Sequence, residues 1–174
     1  MMTLSDVRKF APNTKFEQTG YSQERSAVSW ELKKLGRIDR ATRIENFIAN
    51  EIQERSGYDC YVTAPSCSWD ITANLENKPV KIEVKSSLLK QGVEASYVIQ
   101  NVKYKMFDYL FIVLVTPEGT RVGWAYSKDI RDLCCDKTEN CNGYSISIST
   151  RKWDDGCYDE WLFDGMDDID IFFP

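Results

Sequence analysis

Three charged residues interrupt two stretches of the chain that otherwise have the character of β-strands. The stretches are WDITANL (69–75), which contains Asp70, and VKIEVKSS (80–87), which contains Glu83 and Lys85. The intervening ENKP predicts a turn, so the two stretches are expected to form the strands of a hairpin. Because side chains alternate along a strand, Glu83 and Lys85 share one face, and pairing in the hairpin brings Asp70 to that face.

These three side chains have a chemistry that a metal ion would complete. Two carboxylates that lie close together repel each other unless a cation sits between them. Ligands made only of oxygen suit a hard ion such as Mg²⁺. The lysine can orient or deprotonate a metal-bound water, or stabilise the charge that develops on a phosphate under attack. We therefore expect a Mg²⁺ site formed by Asp70 and Glu83, with Lys85 beside it.

The same residues also have a purely structural interpretation. Asp70 would then be a turn residue. Glu83 and Lys85 would lie on an exposed strand face and pair with neighbours across the sheet.

The elements around the hairpin are predicted from the spacing of apolar residues and from turn signals. A helical pattern runs over 26–55, with a break or kink at Gly36, and its apolar stripe contains Ile38, Ala41, Ile44, Ile48 and Ile52. Further strands are predicted at 59–65, 96–101, 107–115, 121–127 and 143–150, with short helices near 4–10 and 127–135. This order of elements predicts an α/β or α+β domain around a mixed sheet.

Glu45 lies on the apolar stripe of the predicted helix over 26–55. A carboxylate on a buried stripe is destabilising unless it has a partner, and a nearby metal site would supply one. The alternative is a residue at the edge of the helix that pairs with Arg43 or Lys33.

Asp70, followed after twelve residues by Glu83-Val84-Lys85 on the second strand of a hairpin, resembles the motif of the PD-(D/E)XK nuclease superfamily. The resemblance extends over about residues 35–126, with a helix before the motif and a core strand after it. Trp69 stands where the family often has proline. Gln100 fits a glutamine found near the site in several branches, on a loop or helix, and Gln100-x-x-x-Tyr104 is similar to the pattern of the exonuclease-type branch.

The resemblance implies a restriction-endonuclease-like fold with a mixed central sheet flanked by helices, and a Mg²⁺-dependent DNA endonuclease that hydrolyses phosphodiester bonds. It implies that Asp70, Glu83 and the carbonyl of Val84 hold Mg²⁺, for which Mn²⁺ would substitute, and that Glu45 ligates through water or a second ion. Lys85 would position the attacking hydroxide, with Gln100 close to the site. A homodimer is expected if both strands are cut.

Two alternative functions are compatible with the same residues. One is a Holliday-junction-resolving or nicking nuclease, which the same motif would serve. The other is a non-catalytic interaction module that keeps the fold and binds a basic partner through its acidic C-terminal segment.

Charge is distributed unevenly along the chain, whose net charge is −5. Residues 1–110 hold 16 Lys and Arg against 14 Asp and Glu, so the remaining 6 basic and 13 acidic residues lie in 111–174. Candidate contacts to DNA are Arg37, Arg40, Arg43, Lys81, Lys90, Asn101, Lys103 and Lys105, although scattered basic residues are also often simply solvated. The acidic segment after Lys152 carries Trp153, Trp161, Phe172 and Phe173, which we expect to be packing anchors.

Length and composition predict one domain over 1–174, with a core of about 26–150 and an acidic, aromatic segment at 153–174. The chain opens on no apolar leader, so we expect a soluble, cytoplasmic protein with no membrane segment and no small-molecule cofactor. Its six cysteines are expected to be reduced thiols, and a zinc site of Cys134, Cys135, Cys141 and Cys157 is the alternative. The absence of histidine excludes any mechanism that relies on imidazole.

Overall fold

The computed structural model describes residues 21–75, 78–89, 96–130, 136–140 and 143–165, the stretch 136–140 by its backbone. The helices are α1 (Ala27–Lys34), α2 (Arg37–Ser56), α3 (Ser127–Ile130) and α4 (Thr150–Asp154). The strands are β1 (Asp59–Val62), β2 (Ile71–Leu75), β3 (Lys78–Leu88), β4 (Ser96–Val102), β5 (Tyr109–Thr116), β6 (Gly119–Tyr126), β7 (Asp136–Asn140), β8 (Gly143–Ser149) and β9 (Phe163–Asp164). The helix predicted near 4–10 lies outside the described residues.

The predicted break in the first helical region is confirmed, because α1 and α2 meet at Gly36. Ser26 caps α1 by accepting a hydrogen bond from the Ser29 N–H at 3.2 Å. Helix α2 ends at Gly57, whose φ of 73° is in the left-handed region, and the Gly57 N–H donates to the Gln53 carbonyl. The sequence pattern therefore located both helices and the stop between them.

The buried face of α2 differs from the predicted stripe at its N-terminal end. Ile44, Ile48 and Ile52 are buried as expected, but Ile38 is 80% exposed, so its predicted place in the core was wrong. Helix α2 packs against β1, β2 and β3, and its 20 residues are about 30 Å long. The buried face begins only after its first turn.

A mixed sheet with the strand order β1-β2-β3-β5-β6-β9 forms the centre of the fold. Its pairs are antiparallel except for β3 and β5, which run parallel. The predicted hairpin is confirmed as β2–β3, with Ile71 opposite Ile82. Strand β4 lies instead in a second sheet of order β4-β8-β7, so Gln100 lies in a strand and not in a loop or helix.

Each face of the central sheet is covered by a separate apolar core. Helices α1 and α2 cover the face that carries Val84 and Phe111, and Ile48 and Ile52 fill the space between them. The opposite face carries Leu110, Ile112 and Leu114, and it packs against Tyr97, Ile99, Ile146 and Ile148 of the second sheet. These layers confirm the expected α+β fold, in which helices flank a mixed central sheet.

The C-terminal segment packs on the body of the fold as far as the structure describes it. Trp153 and Trp161 are 4% and 8% exposed, which confirms them as packing anchors, whereas Phe172 and Phe173 lie outside the described residues. Strand β9 pairs with β6, and the Phe163 ring stacks on Trp124 with centroids 4.1 Å apart. None of the described helices combines the length and the apolar character needed to cross a membrane.

Candidate active site

Asp70 immediately precedes β2, and two hydrogen bonds fix it against β3. The Asp70 N–H donates to the Ile82 carbonyl at 3.0 Å. In return, Oδ2 of Asp70 accepts from the backbone N–H of Val84 at 2.8 Å. Because Ile71 lies opposite Ile82 in the hairpin, Asp70 lies beside Glu83. The hairpin thus places Asp70 opposite Glu83 on neighbouring strands, as their positions in the sequence predict.

Glu83 and Lys85 form a hydrogen-bonded ion pair on the same face of β3. The Lys85 ammonium donates to Oε1 of Glu83. Glu83 is only 7% exposed, and the Lys85 side chain is 24% exposed. A pair that served only to decorate an exposed strand would be solvated, so the interpretation as an exposed strand face is wrong for Glu83.

The carboxyl of Glu83 is held in an unfavourable environment for a negative charge. Burial raises its pKa above the ordinary value of 4.5, although the neighbouring Lys85 ammonium lowers it. The charges of Asp70 and Glu45 raise the pKa of Glu83 further. The Lys85 ammonium therefore does not offset the combined effect of burial and of the two other acids on the pKa of Glu83.

Glu45 contributes to the same electrostatic environment from α2. Its side chain is half-buried, and burial is the main reason that its pKa lies above the ordinary value. The charge of Asp70 raises the pKa of Glu45 further, and Lys85 lowers it. The helix thus adds a third acid to the hairpin pair, in the sense that the sequence pattern predicted.

We call Glu45, Asp70, Glu83 and Lys85 the acidic cluster. Its donors are carboxylate oxygens, which fit a hard divalent cation and not a soft one. The raised pKa values of Glu45 and Glu83 also fit a divalent cation, because a cation among these carboxylates would remove their mutual repulsion. Within the described residues, however, no three side chains of His, Cys, Asp or Glu form a preassembled metal site. A bound ion would therefore have to draw these carboxylates together.

The predicted partners of the cluster on β4 lie on the second sheet. Gln100 and Asn101 are both exposed, and Asn101 has a φ of 61° where the pairing with β8 shifts register between Ile99 and Val102. In the described part of the chain, no hydrogen bond joins Gln100 to Asp70, Glu83 or Lys85. Its placement near the site stays a prediction.

The basic residues predicted to contact DNA have different surroundings. Arg40 donates to the carbonyls of Leu32 and Leu35, at 3.5 and 3.1 Å, and so binds the C-terminal end of α1. Arg37, Lys103 and Lys105 are exposed, and Arg43 lines an apolar groove beside α1. Lys90 lies outside the described residues.

Lys81 was predicted as a candidate contact to DNA, whereas the role of Asp108 beside it was missed. The Lys81 ammonium lies 4.5 Å from the centre of the Trp69 ring, and Trp69 donates from Nε1 to Oγ1 of Thr72 at 2.9 Å. Oδ2 of Asp108 accepts from the Lys81 N–H at 2.9 Å, and the Asp108 N–H donates to the Lys81 carbonyl. Alternation along β3 places Lys81 on the face of Glu83. Nothing in the sequence marked the pairing with Asp108.

Of the four cysteines in the alternative zinc site, the structure describes Cys157. Cys60 is buried, and Cys67 and Cys157 are exposed, and all three are free thiols. Burial, reinforced by Asp59, raises the pKa of the Cys60 thiol to about 12. Cys134, Cys135 and Cys141 lie outside the described residues, so a zinc site that contains them stays a prediction.

Comparison with known proteins finds a solved structure with low similarity to this chain. The chain matches no protein-family model and no curated protein. Among solved structures it resembles a bacterial homing endonuclease, I-Ssp6803I, with 18% sequence identity and a TM-score of 0.41. The match covers 62% of this chain and 75% of the endonuclease. A similarity this low carries no functional argument, so the function has to be argued from the geometry of the site.

Proposed function

We propose that the chain is a Mg²⁺-dependent nuclease of the PD-(D/E)XK type, which hydrolyses phosphodiester bonds of DNA at the acidic cluster. The observation that supports this most strongly is the imbalance of charge around Lys85. Its ammonium bonds Glu83, and burial together with neighbouring acids still raises the pKa of both Glu83 and Glu45. Groups whose pKa is shifted by burial and by specific charged neighbours are concentrated at functional sites.

In this proposal the hairpin supplies the ligands of the metal. Asp70 and Glu83 would hold Mg²⁺ together with the carbonyl of Val84, and Glu45 would ligate through water or a second ion. The ion would act as a Lewis acid and lower the pKa of a bound water. The hydrogen bond from the Val84 N–H fixes Oδ2 of Asp70, so one ligand is oriented before any ion binds.

Lys85 has a separate role in the proposal. Its ammonium is already directed at the carboxylates by the bond to Glu83, and it would position the attacking hydroxide for displacement at phosphorus. A charge placed where negative charge develops contributes mainly in the transition state. Lys85 should therefore affect the rate of cleavage more than the affinity for DNA.

Lys81 gives the proposed site a second cation for its polyanionic substrate. It lies on the face of Glu83, and alternate residues of a strand are about 7 Å apart. The contact with the Trp69 ring holds its ammonium at that face. We propose that Lys81 contacts the DNA backbone and that the enzyme acts as a homodimer when it cuts both strands. Resolution of Holliday junctions or nicking by the same residues is the second candidate.

Purified protein with supercoiled plasmid, in Mg²⁺ and in EDTA, tests the assignment. We expect Mg²⁺-dependent nicking or linearisation, with EDTA and the Asp70→Asn variant inactive. Asp59→Asn, which changes an exposed acid on β1, is the matched control and should retain activity. Full activity of Asp70→Asn would refute the assignment. Assays with linear duplex and four-way junctions then separate the two candidate substrates.

A further inference from the structure

An apolar groove lies on the helix-covered side of the central sheet, separate from the acidic cluster. Its volume is about 400 Å³, and it lies between α1, α2 and the strands β5 and β6. Its lining includes Val28, Phe47, Val113 and Val122. Val28 is 61% exposed and Phe47 is 50% exposed, so the groove leaves large apolar side chains uncovered.

The chain approaches this groove just before the described residues end. Strand β9 runs antiparallel to β6, with Phe163 opposite Trp124 and Asp164 opposite Gly123. The Gly165 N–H then donates to the carbonyl of Val122 at 2.7 Å. Val122 lines the groove, so Gly165, the last described residue, lies at its edge.

The residues that follow have a composition that suits such a groove. The segment 166–174 has the sequence MDDIDIFFP, in which Met166, Ile169, Ile171, Phe172 and Phe173 are apolar. In an extended form nine residues reach up to about 30 Å, whereas the eight residues of α1 are about 12 Å long. The segment is therefore long enough to cross the groove.

Charge also favours this segment over a neutral apolar occupant. Arg43 lines the groove, as does Glu31, but Glu31 is already paired with Lys34 at 2.7 Å. The segment carries Asp167, Asp168 and Asp170 among its apolar residues. Arg43 is thus a basic group in the groove lining that suits an acidic segment.

We propose that residues 166–174 bind in the groove between α1, α2 and β6, and so continue the packing that begins with β9. The C-terminal segment then completes the helix-covered core in the same chain, independently of the proposed nuclease activity. A second copy of the chain is the competing occupant, because the same exposed side chains would suit a dimer interface.

A double-mutant cycle in the full-length chain tests this inference. Phe47→Ala places a better helix former in α2, so with an empty groove the melting temperature should stay unchanged or rise slightly. With a docked segment, the melting temperature should fall by about 3–6 °C. The double substitution Phe172→Ser/Phe173→Ser should lower it similarly, and combining both changes should lower it by clearly less than their sum. Val28→Thr, which keeps the shape of the side chain, is a second and milder groove variant.

The matched control is Met106→Ala, which removes another exposed apolar side chain, one that does not line the groove; Met106 is 41% exposed. Its effect should add to that of the Phe172→Ser/Phe173→Ser variant. Additive effects in the Phe47 cycle would overturn the inference, and so would an unchanged melting temperature in either single variant. A melting temperature that rises with protein concentration, together with a dimer in sedimentation, would assign the groove to a second copy and would also overturn it.

Discussion

Two clusters of charged side chains in this fold are built from the same kinds of groups but are balanced differently. On β6, Arg121 donates to Asp154 and to Asp164, the latter at 3.0 Å. The side chains of Asp154 and Asp164 are 64% and 59% exposed. Their ion pairs with Arg121 link the C-terminal segment to the sheet. On β3, Lys85 faces Glu83, whose side chain is 10% exposed.

The pKa values show the difference between the two clusters. Burial lowers the pKa of Arg121, but its two carboxylate partners outweigh that effect and raise it, so the charged form is favoured. In the acidic cluster burial raises the pKa of Glu83 and of Glu45, so the charged forms are disfavoured. In the first cluster the members balance one another, whereas in the second the burial and the acidic groups outweigh the single ammonium of Lys85.

This contrast separates a structural ion pair from a candidate site better than the presence of charges does. Water screens an ion pair near the surface, so each such pair contributes at most about 1 kcal/mol to the free energy of unfolding. Acids gathered in a buried region repel each other and lower the stability of the metal-free fold. The fold retains the acidic cluster at that cost, which fits a binding role.

The largest expected effect concerns Lys85. Lys85→Ala should slow single-turnover DNA cleavage by about 10³-fold, because the ammonium would act on charge that develops in the transition state. DNA affinity, measured in Ca²⁺ so that cleavage does not proceed, should change by less than about threefold.

The matched control for that change is Lys78→Ala, which removes an exposed lysine from the same strand. It should leave the cleavage rate unchanged. If Lys85→Ala weakened DNA binding and left the rate at saturating protein intact, Lys85 would be a phosphate contact and not part of the reaction.

Removal of Arg121 should affect stability and not catalysis. Arg121→Ala removes the bonds to Asp154 and Asp164 and the packing of the guanidinium on the Trp153 ring, 4.3 Å from its centre. A loss of about 1 kcal/mol corresponds to a fall in melting temperature of about 2–4 °C. Cleavage per folded molecule should be unchanged, and a large loss of rate would erase the distinction between the clusters.

The smallest expected effect is a pH dependence of the metal-free protein. Because the folded state raises the pKa of Glu83 and Glu45, it binds protons more tightly than the unfolded state, and stability falls as pH rises above 4.5 through the raised values. The melting temperature should therefore be about 1–3 °C higher near pH 5 than near pH 7.

Two features make that measurement specific. The chain has no histidine, whose titration would otherwise dominate this range. Glu83→Gln, which keeps an acceptor for Lys85, should reduce the pH dependence, and excess Mg²⁺ should do the same in the unchanged protein. A wild-type melting temperature that rises from pH 5 to pH 7 would contradict the assigned direction of the shifts.

Local sequence patterns were enough to predict the hairpin and the positions of its charged residues. Alternation along β3 assigned Glu83 and Lys85 to one face, and a short turn required β2 to pair next to it. The helical stripe likewise predicted that Glu45 approaches the same region, and its electrostatic coupling to Asp70 agrees with that. These inferences need only neighbours in sequence.

Features that depend on distant parts of the chain were not predictable in the same way. The parallel pairing of β3 with β5 leaves β4 out of the central sheet, and no local pattern around Gln100 reveals this. Ile38 has the right spacing for the core but lies exposed in the first turn of α2. Arg40 binds carbonyls at the end of α1, which only the turn between the helices brings within reach.

Calorimetric titration of Mg²⁺ into the full-length protein tests the central claim most directly, because the acidic cluster should bind the cation that would relieve its repulsion. We predict saturable binding by the wild-type chain and by Arg121→Ala, with an affinity at least about tenfold lower for Glu83→Gln. No binding by the wild-type chain, or equal affinity in Glu83→Gln, would contradict the account.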